Sequence, residues 1–345
     1  MATIVETFGR RAATNGVTMK IAAALALAIA GCSPPPGSPD GGAADLATAT
    51  DGGATGSGTV GAFQVRLIPP VAPSGMNPGS PGLTSLVGRV SDGPTPSLVI
   101  LVEAAAEGAC KLFKPKVPFC NTPCGGSAAC VADDRCQPYP TAKSLGTVKV
   151  TGVKTDTGAT EFSMEPVSNA YQPAAGVKLP FPAFAEGGAI RIASGGGAYA
   201  PFTIDGKGIA PLDLAKDAIK LEKDKAVTLR WTPPGQAGLA RIFVKLDISH
   251  HGGSKGQIDC EADDGGSLVL PASLITQLLA LGVAGFPSVI VERKAVSSTA
   301  IAPGRVELIV VSGAERFVDI PGLTSCNDDS QCPMGQKCQP DLTCK

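Results

Sequence analysis

The strongest constraint on this chain is its cysteines. Cys326, Cys332, Cys338 and Cys344 close the sequence at identical five-residue gaps, and Cys120, Cys124, Cys130 and Cys136 repeat the last two gaps while shortening the first. The two arrays read as an internal repeat. Segments this short cannot bury a hydrophobic core, so cross-links worth about 2–4 kcal/mol each must hold them. Zinc held by four thiolates is the competing chemistry, but structural zinc brings its cysteines in pairs two residues apart, which these gaps do not match. If each array pairs within itself, counting alone leaves Cys110 and Cys260 to pair with each other. Ten cysteines beyond Cys32, an even number, read as disulfides in an oxidising compartment.

Between and before the arrays the pattern is one of short strands. Phe63, Val65 and Leu67 alternate with polar neighbours, as do Val148 and Val150, and Phe162 and Met164. Leu98–Val102 is a continuous apolar run, which reads as a central strand. Further strands are expected at Ala189–Ile192, Phe202–Ile204, Val227–Trp231, Ile242–Ile248, Val289–Arg293, Val306–Val311 and Arg316–Ile320. With 43 Gly and 30 Pro supplying turns, this spacing favours a mainly β, sandwich-like ectodomain over alternating α/β layers. One short helix is expected at 271–281, with Pro271 at its first position, an apolar face of Leu274, Ile275, Leu278 and Leu281, and Gly282 just past its end.

The best-patterned stretch is Ala226–Ile248, read as a strand pair turning at Pro233-Pro234-Gly235. Its Val227-Thr228-Leu229-Arg230-Trp231-Thr232-Pro233-Pro234 wording resembles the strand-plus-turn of fibronectin type III-like domains. That placement makes Trp231 a core residue. The cysteine arrays resemble the Dickkopf N-terminal and EGF-like modules carried by bacterial surface lipoproteins, families that share no single activity.

At the other end of the chain, Lys20 precedes a run of small apolar residues, Ile21–Ala30, that stops at Gly31-Cys32. The run is too short to span a bilayer, which needs about 20 residues, and reads as a signal-peptide core. Ile29-Ala30-Gly31-Cys32 resembles the bacterial lipobox, which implies that Cys32 is lipidated and becomes the mature N-terminus. One acyl chain binds only marginally, whereas two or three anchor stably. In lipoproteins of this kind an Asp after the cysteine retains the protein at the inner membrane; Ser33 stands there, favouring the outer membrane. The expected location is therefore the cell envelope, lipid-anchored at the outer membrane. Residues 33–60 contain almost no large apolar group and read as a flexible tether.

The expected division is thus 1–31 signal peptide (with Met19 as an alternative start), 32–60 lipidated Cys32 and tether, 61–109 N-terminal strands and 110–140 a Cys-rich module. A sandwich region at 141–322 and a second module at 323–345 complete it.

Of 29 basic and 30 acidic residues, removal of 1–31 takes Arg10, Arg11, Lys20 and Glu6, leaving 26 against 29, a net charge of −3. Nothing in that balance draws the protein to nucleic acid. The expected partners are the membrane, through the anchor, and an envelope or extracellular molecule that the sequence does not name. The only histidines, His250 and His251, sit in a Gly-rich stretch and are the candidates for a metal site with Asp263 and Asp264. Adjacent histidines in a strand point to opposite faces, so a polar hairpin loop is the preferred reading and no metal or cofactor is expected. The doublets Asp133-Asp134, Asp263-Asp264 and Asp328-Asp329 read as solvated turns. A nucleophile elbow, a Walker A loop, an H-E-x-x-H helix and a dinucleotide fingerprint are all missing from the sequence. The sequence therefore favours a non-catalytic binding or structural role, the alternative being an exported hydrolase or metal-binding protein using the His250/His251 loop.

Overall fold

The computed structural model describes residues 58–73, 75 and 78–345; Cys32, the signal-like segment and nearly all of the tether lie outside the described residues. The chain is mainly β. In order it forms β1 (Thr59–Ile68), β2 (Leu83–Val90), β3 (Ile100–Glu107), β4 (Cys110–Lys116), β5 (Ala128–Ala132), β6 (Arg135–Pro138), β7 (Val148–Thr151), β8 (Glu161–Met164) and β9 (Ala170–Tyr171). It continues through β10 (Ala189–Ser194), β11 (Phe202–Lys207), β12 (Ile219–Lys220), β13 (Val227–Arg230), β14 (Arg241–Asp247), β15 (Gln257–Asp263) and β16 (Ser267–Leu270). Helix α1 (Ala272–Leu279), β17 (Ser288–Ala300) and β18 (Arg305–Asp319) follow.

Ten strands make one sheet in the order β3-β4-β15-β14-β17-β18-β1-β2-β9, with β12 also paired to β18. The antiparallel β17 and β18, at 13 and 15 residues, are more than twice the usual strand length and carry two cores in succession. Along one half of β18, β1 runs parallel to it from Thr59 to Leu67; beyond that, β12 takes the same edge at Val318 and Asp319. Over the first half lies a four-stranded sheet, β11-β10-β7-β8. Its Val148, Val150, Met164, Ile190, Ile192 and Ile204 meet Phe63, Val65, Leu67, Val306, Leu308 and Val310 in a sandwich core. Gly88 is obligatory in that core: a Cβ there would stand 2.2 Å from the Phe63 ring, which lies across its cross-strand partner.

The second core joins Leu112, Ile242, Val244, Leu246, Ile258, Val289 and Val291 from the same large sheet to α1 and to the small ribbon β13-β16. Pro271 caps the helix and does not enter it, Leu274, Ile275 and Leu278 are buried, and Gly282 takes a left-handed φ of +86° after its end. Alternation explains most of these elements, because a strand with one buried face must place its apolar residues two apart.

Three expectations are corrected. Leu98–Val102 is not central: β3 is the outermost strand of the large sheet, and Leu98 and Val102 are exposed. A continuous apolar run does not distinguish a buried strand from an edge hairpin. Val306–Val311 and Arg316–Ile320 are not two strands but the single β18; Ser312-Gly313 reads as a break only because the strand passes there from one core to the other. Ala226–Ile248 is not a strand pair either. Its first half, β13, pairs with β16, while β14 lies between β15 and β17. The segments expected as separate units are also joined: β1, β2 and β3 belong to the same sheet as β14, β17 and β18, and Cys110 opens β4 of that sheet.

Candidate functional site

All ten cysteines among the described residues are paired. Cys120–Cys130 and Cys124–Cys136 cross-link the first module, and Cys326–Cys338 and Cys332–Cys344 the second. First-to-third and second-to-fourth pairing in both makes them one motif used twice. In each, the third and fourth cysteines face each other across a hairpin, and the residue two before the fourth is left-handed: Asp134 at φ +58° and Leu342 at φ +57°. Cys110 and Cys260 are directly opposed on β4 and β15 and form the fifth bridge, which spans 150 residues. The sulfurs that cluster closely enough to suggest metal binding are these same paired atoms, and they offer no thiolate.

The acidic doublets do more than face solvent. In the first module, Asp134 accepts hydrogen bonds from the backbone N–H and the side-chain amide of Asn121 (2.8 and 3.0 Å), while Asp133 pairs with Lys116 at 2.8 Å. In the second, Asp328 accepts from Ser330 N–H and Asp329 from Cys338 N–H. Lacking a core, the modules fix their loops with carboxylate-to-backbone bonds.

His250 and His251 lie in the β14–β15 hairpin loop, their ring centroids 3.9 Å apart, with His251 at φ +63°. The loop is fastened through its backbone. Ser249 N–H and Oγ donate to Asp247, Lys255 N–H donates to Ser249 Oγ, and Phe286 N–H donates to the His250 carbonyl. Gly285 sits against it so tightly that a Cβ would lie 2.0 Å from that same carbonyl oxygen. Gly285 also holds the second module: its N–H donates to the Asp341 carbonyl and its own carbonyl accepts from Ser325 Oγ. The histidine loop is therefore part of the seat of the C-terminal module.

Asp263 and Asp264 do not join the histidines. They stand at the far end of β15, seven residues or about 20 Å of strand away. Asp263 is exposed and pairs with Arg241 at 2.7 Å. Asp264 corrects the reading of a solvated turn: its side chain is 1% exposed and grips Arg293, also 1% exposed, at 2.5 Å. The guanidinium further donates to the carbonyls of Pro211 (2.7 Å) and Thr232 (2.8 Å), and Asp264 accepts the Trp231 indole N–H at 2.7 Å. Arg293 faces Ser312 across β17 and β18, and Ser312 Oγ accepts the Leu212 N–H, so this network stands where the two cores meet. Sequence reasoning missed it. The one available signal was an arginine at an inward position of a strand, Val289-Ile290-Val291-Glu292-Arg293, which demands a buried acid.

On the opposite face of the large sheet, Glu292 sits between Arg66 and Lys294, 2.9 Å from each, and the Lys294 ammonium lies over the Phe243 ring at 4.7 Å. Burial opposes ionisation of Glu292, but the two cations outweigh it and hold its carboxyl below the ordinary value. Beside Trp231 an open depression of about 450 Å³ is rimmed by Asp213, Lys216 and Arg230. The indole N–H turns inward to Asp264, so the ring is a core element and not a sugar-stacking platform.

No protein-family model matches the chain, and no curated protein matches it. Among solved structures it is similar to a crystal structure of the FN1–FN3 domains of chicken CNTN1, at 10% identity over 70% of this chain and 71% of that chain, with a TM-score of 0.16. A TM-score this low establishes no common topology.

Proposed function

We propose that this is a lipid-anchored cell-envelope protein whose ectodomain has a non-catalytic binding or structural role at the outer surface. The observation that carries the reading is the pairing of every cysteine from Cys110 onward, since a framework of five disulfides is characteristic of exported proteins in an oxidising compartment. That pairing leaves no described thiol for Cys32 to bond, which suits a cysteine reserved for lipid. No helix among the described residues is long and apolar enough to cross a membrane. Against a hydrolase, Ser249 Oγ is engaged with Asp247 and Lys255 N–H and makes no hydrogen bond to either histidine ring.

The test is fractionation. The intact protein should sediment with outer membranes, and Cys32→Ala should appear in the soluble periplasmic or secreted fraction with its five disulfides formed. An intact protein that is soluble, or a Cys32→Ala variant still membrane-bound, contradicts the proposal.

A further inference from the structure

Among the described residues, none of the five bridges joins two cysteines that are consecutive in the sequence. One cysteine lies inside each of the four module bridges, and four lie between Cys110 and Cys260. An unguided chain forms other pairs first. Cys326 with Cys332 and Cys338 with Cys344 would close loops half as long as the native separation of 12 residues. Halving a loop favours its closure by about threefold for each bridge. Cys110 stands ten residues from Cys120 and 150 from its native partner, a preference of roughly 60-fold for the wrong one. In a chain exported N-terminus first, all four cysteines of the first module are also available to Cys110 before Cys260 arrives.

Folding guides only one of the five. Once β15 pairs with β4, Cys260 stands directly opposite Cys110. The modules have no such guide. Between Cys120 and Pro138 only Ala129 is buried, and between Cys326 and Lys345 only Cys326 and Thr343. Without a core, a module has no stable fold until its bridges exist, so no prior fold selects them. Accessibility differs in the same sense. Seven of the eight module cysteines keep some exposure, Cys326 being the exception, whereas Cys110 (1%) and Cys260 (3%) are sealed in the second core. Wrong bridges within a module therefore stay open to attack after the sheets have formed, but a wrong bridge to Cys110 must be undone earlier.

We propose that the native bridges are the product of catalysed rearrangement, and that this chain is a substrate of a thiol–disulfide isomerase in the compartment to which it is exported. This rests on the export reading and is independent of lipid at Cys32. The first bridges need an oxidant, a protein disulfide that becomes a dithiol as each pair of chain thiols is joined. Rearrangement needs none. In the first module, the isomerase thiolate attacks the Cys120 sulfur of a Cys120–Cys124 bridge, forming a mixed disulfide and releasing the Cys124 thiolate. Cys124 attacks the Cys136 sulfur of a Cys130–Cys136 bridge, forming Cys124–Cys136 and releasing the Cys130 thiolate. Cys130 then attacks the Cys120 sulfur of the mixed disulfide, which forms Cys120–Cys130 and returns the isomerase thiolate. Two disulfides enter and two leave, with no net change in oxidation state. The second module permits the same sequence at Cys326, Cys332, Cys338 and Cys344.

The test exports the full chain in a bacterial host whose envelope thiol oxidase is intact and whose disulfide isomerase is present or deleted. Free thiols are blocked at lysis and the non-reduced peptides are mapped. With the isomerase, the five native bridges should be recovered. Without it, native pairing in each module should fall about fivefold or more, replaced by Cys120–Cys124 with Cys130–Cys136 and Cys326–Cys332 with Cys338–Cys344. Restoring the isomerase should restore native pairing, and a form lacking its attacking cysteine should not. A form lacking only its second active-site cysteine should be recovered disulfide-linked to a module cysteine. Native pairing at equal yield without the isomerase, or rescue by the form that cannot attack, overturns the proposal and leaves the export reading intact. A chain whose ten cysteines stay reduced in both hosts overturns the export reading and this proposal with it.

Discussion

Replacing Arg293 with Met removes the centre of the network between the two cores while keeping a side chain of similar length. The Asp264 carboxylate, 1% exposed, would keep only the Trp231 indole N–H, and the carbonyls of Pro211 and Thr232 would lose their donors. Removing one partner of a buried ion pair costs about 3–5 kcal/mol, because the remaining charge is stranded where water cannot reach it. Asp264→Leu should cost a similar amount by stranding the guanidinium. The double variant should lose clearly less than the sum, with a coupling of about 0.5–3 kcal/mol, since neither charge is then left alone. Urea unfolding followed by Trp231 emission gives the midpoint and slope for all four proteins. Hydrogen exchange should show protection lost on both sides of the seam, at β7 and β10 as well as β14. A single Arg293→Met variant within about 1 kcal/mol of the parent, or additive losses in the double variant, would refute the assignment of this pair as the junction.

Other outcomes follow from separate features. Mapping of non-reduced peptides should recover Cys110–Cys260 and first-to-third, second-to-fourth pairing in both modules. Removing Cys110–Cys260, which closes 150 residues, should cost about 5 kcal/mol in the chain-entropy account, against about 3 for a 12-residue module loop; equal losses would contradict it. Glu292 has a lowered folded pKa, so its contribution is present above the ordinary value of 4.5 and lost as pH falls below it through the folded value. Glu292→Gln should therefore flatten the acid side of the stability profile, and an unchanged profile would show that the pairs with Arg66 and Lys294 contribute nothing. Gly88→Ala should destabilise through the Phe63 ring, read as a lower urea midpoint. His250→Asn with His251→Asn should shift stability by no more than about 0.5 kcal/mol, since Asn tolerates the left-handed position; a larger loss, or a bound metal lost with the histidines, would reopen the loop as a site.

Sequence periodicity made much of this architecture legible, and where it failed the reasons are physical. β1, β7, β10, β14 and the apolar face of α1 each bury one side, so alternation or helical spacing announces them. Two-residue strands such as β9 and β12 carry too little pattern to be seen. Partnership is the weaker inference: β13 and β14 are neighbours in sequence with matching alternation, yet each pairs elsewhere, because strand choice depends on distant segments. Likewise nothing local tells that β1 lies parallel to β18, more than 200 residues away. The cysteine pair left by counting does form, because Cys110 and Cys260 fall opposite each other on adjacent strands. The acidic doublets misled, as one Asp of Asp263-Asp264 is fully exposed while its neighbour is buried with Arg293. A strand end turns successive side chains to opposite sides, and composition cannot say which one finds a partner.

The reading of this protein as an anchored envelope component turns on one atom, the Cys32 sulfur. Mass spectrometry of the mature protein purified from native membranes tests it most directly. The account predicts a chain that begins at Cys32 with a diacylglycerol thioether, and a fragment mass raised by two or three acyl chains. A mature chain that begins elsewhere, or begins at Cys32 with an unmodified thiol, would contradict it.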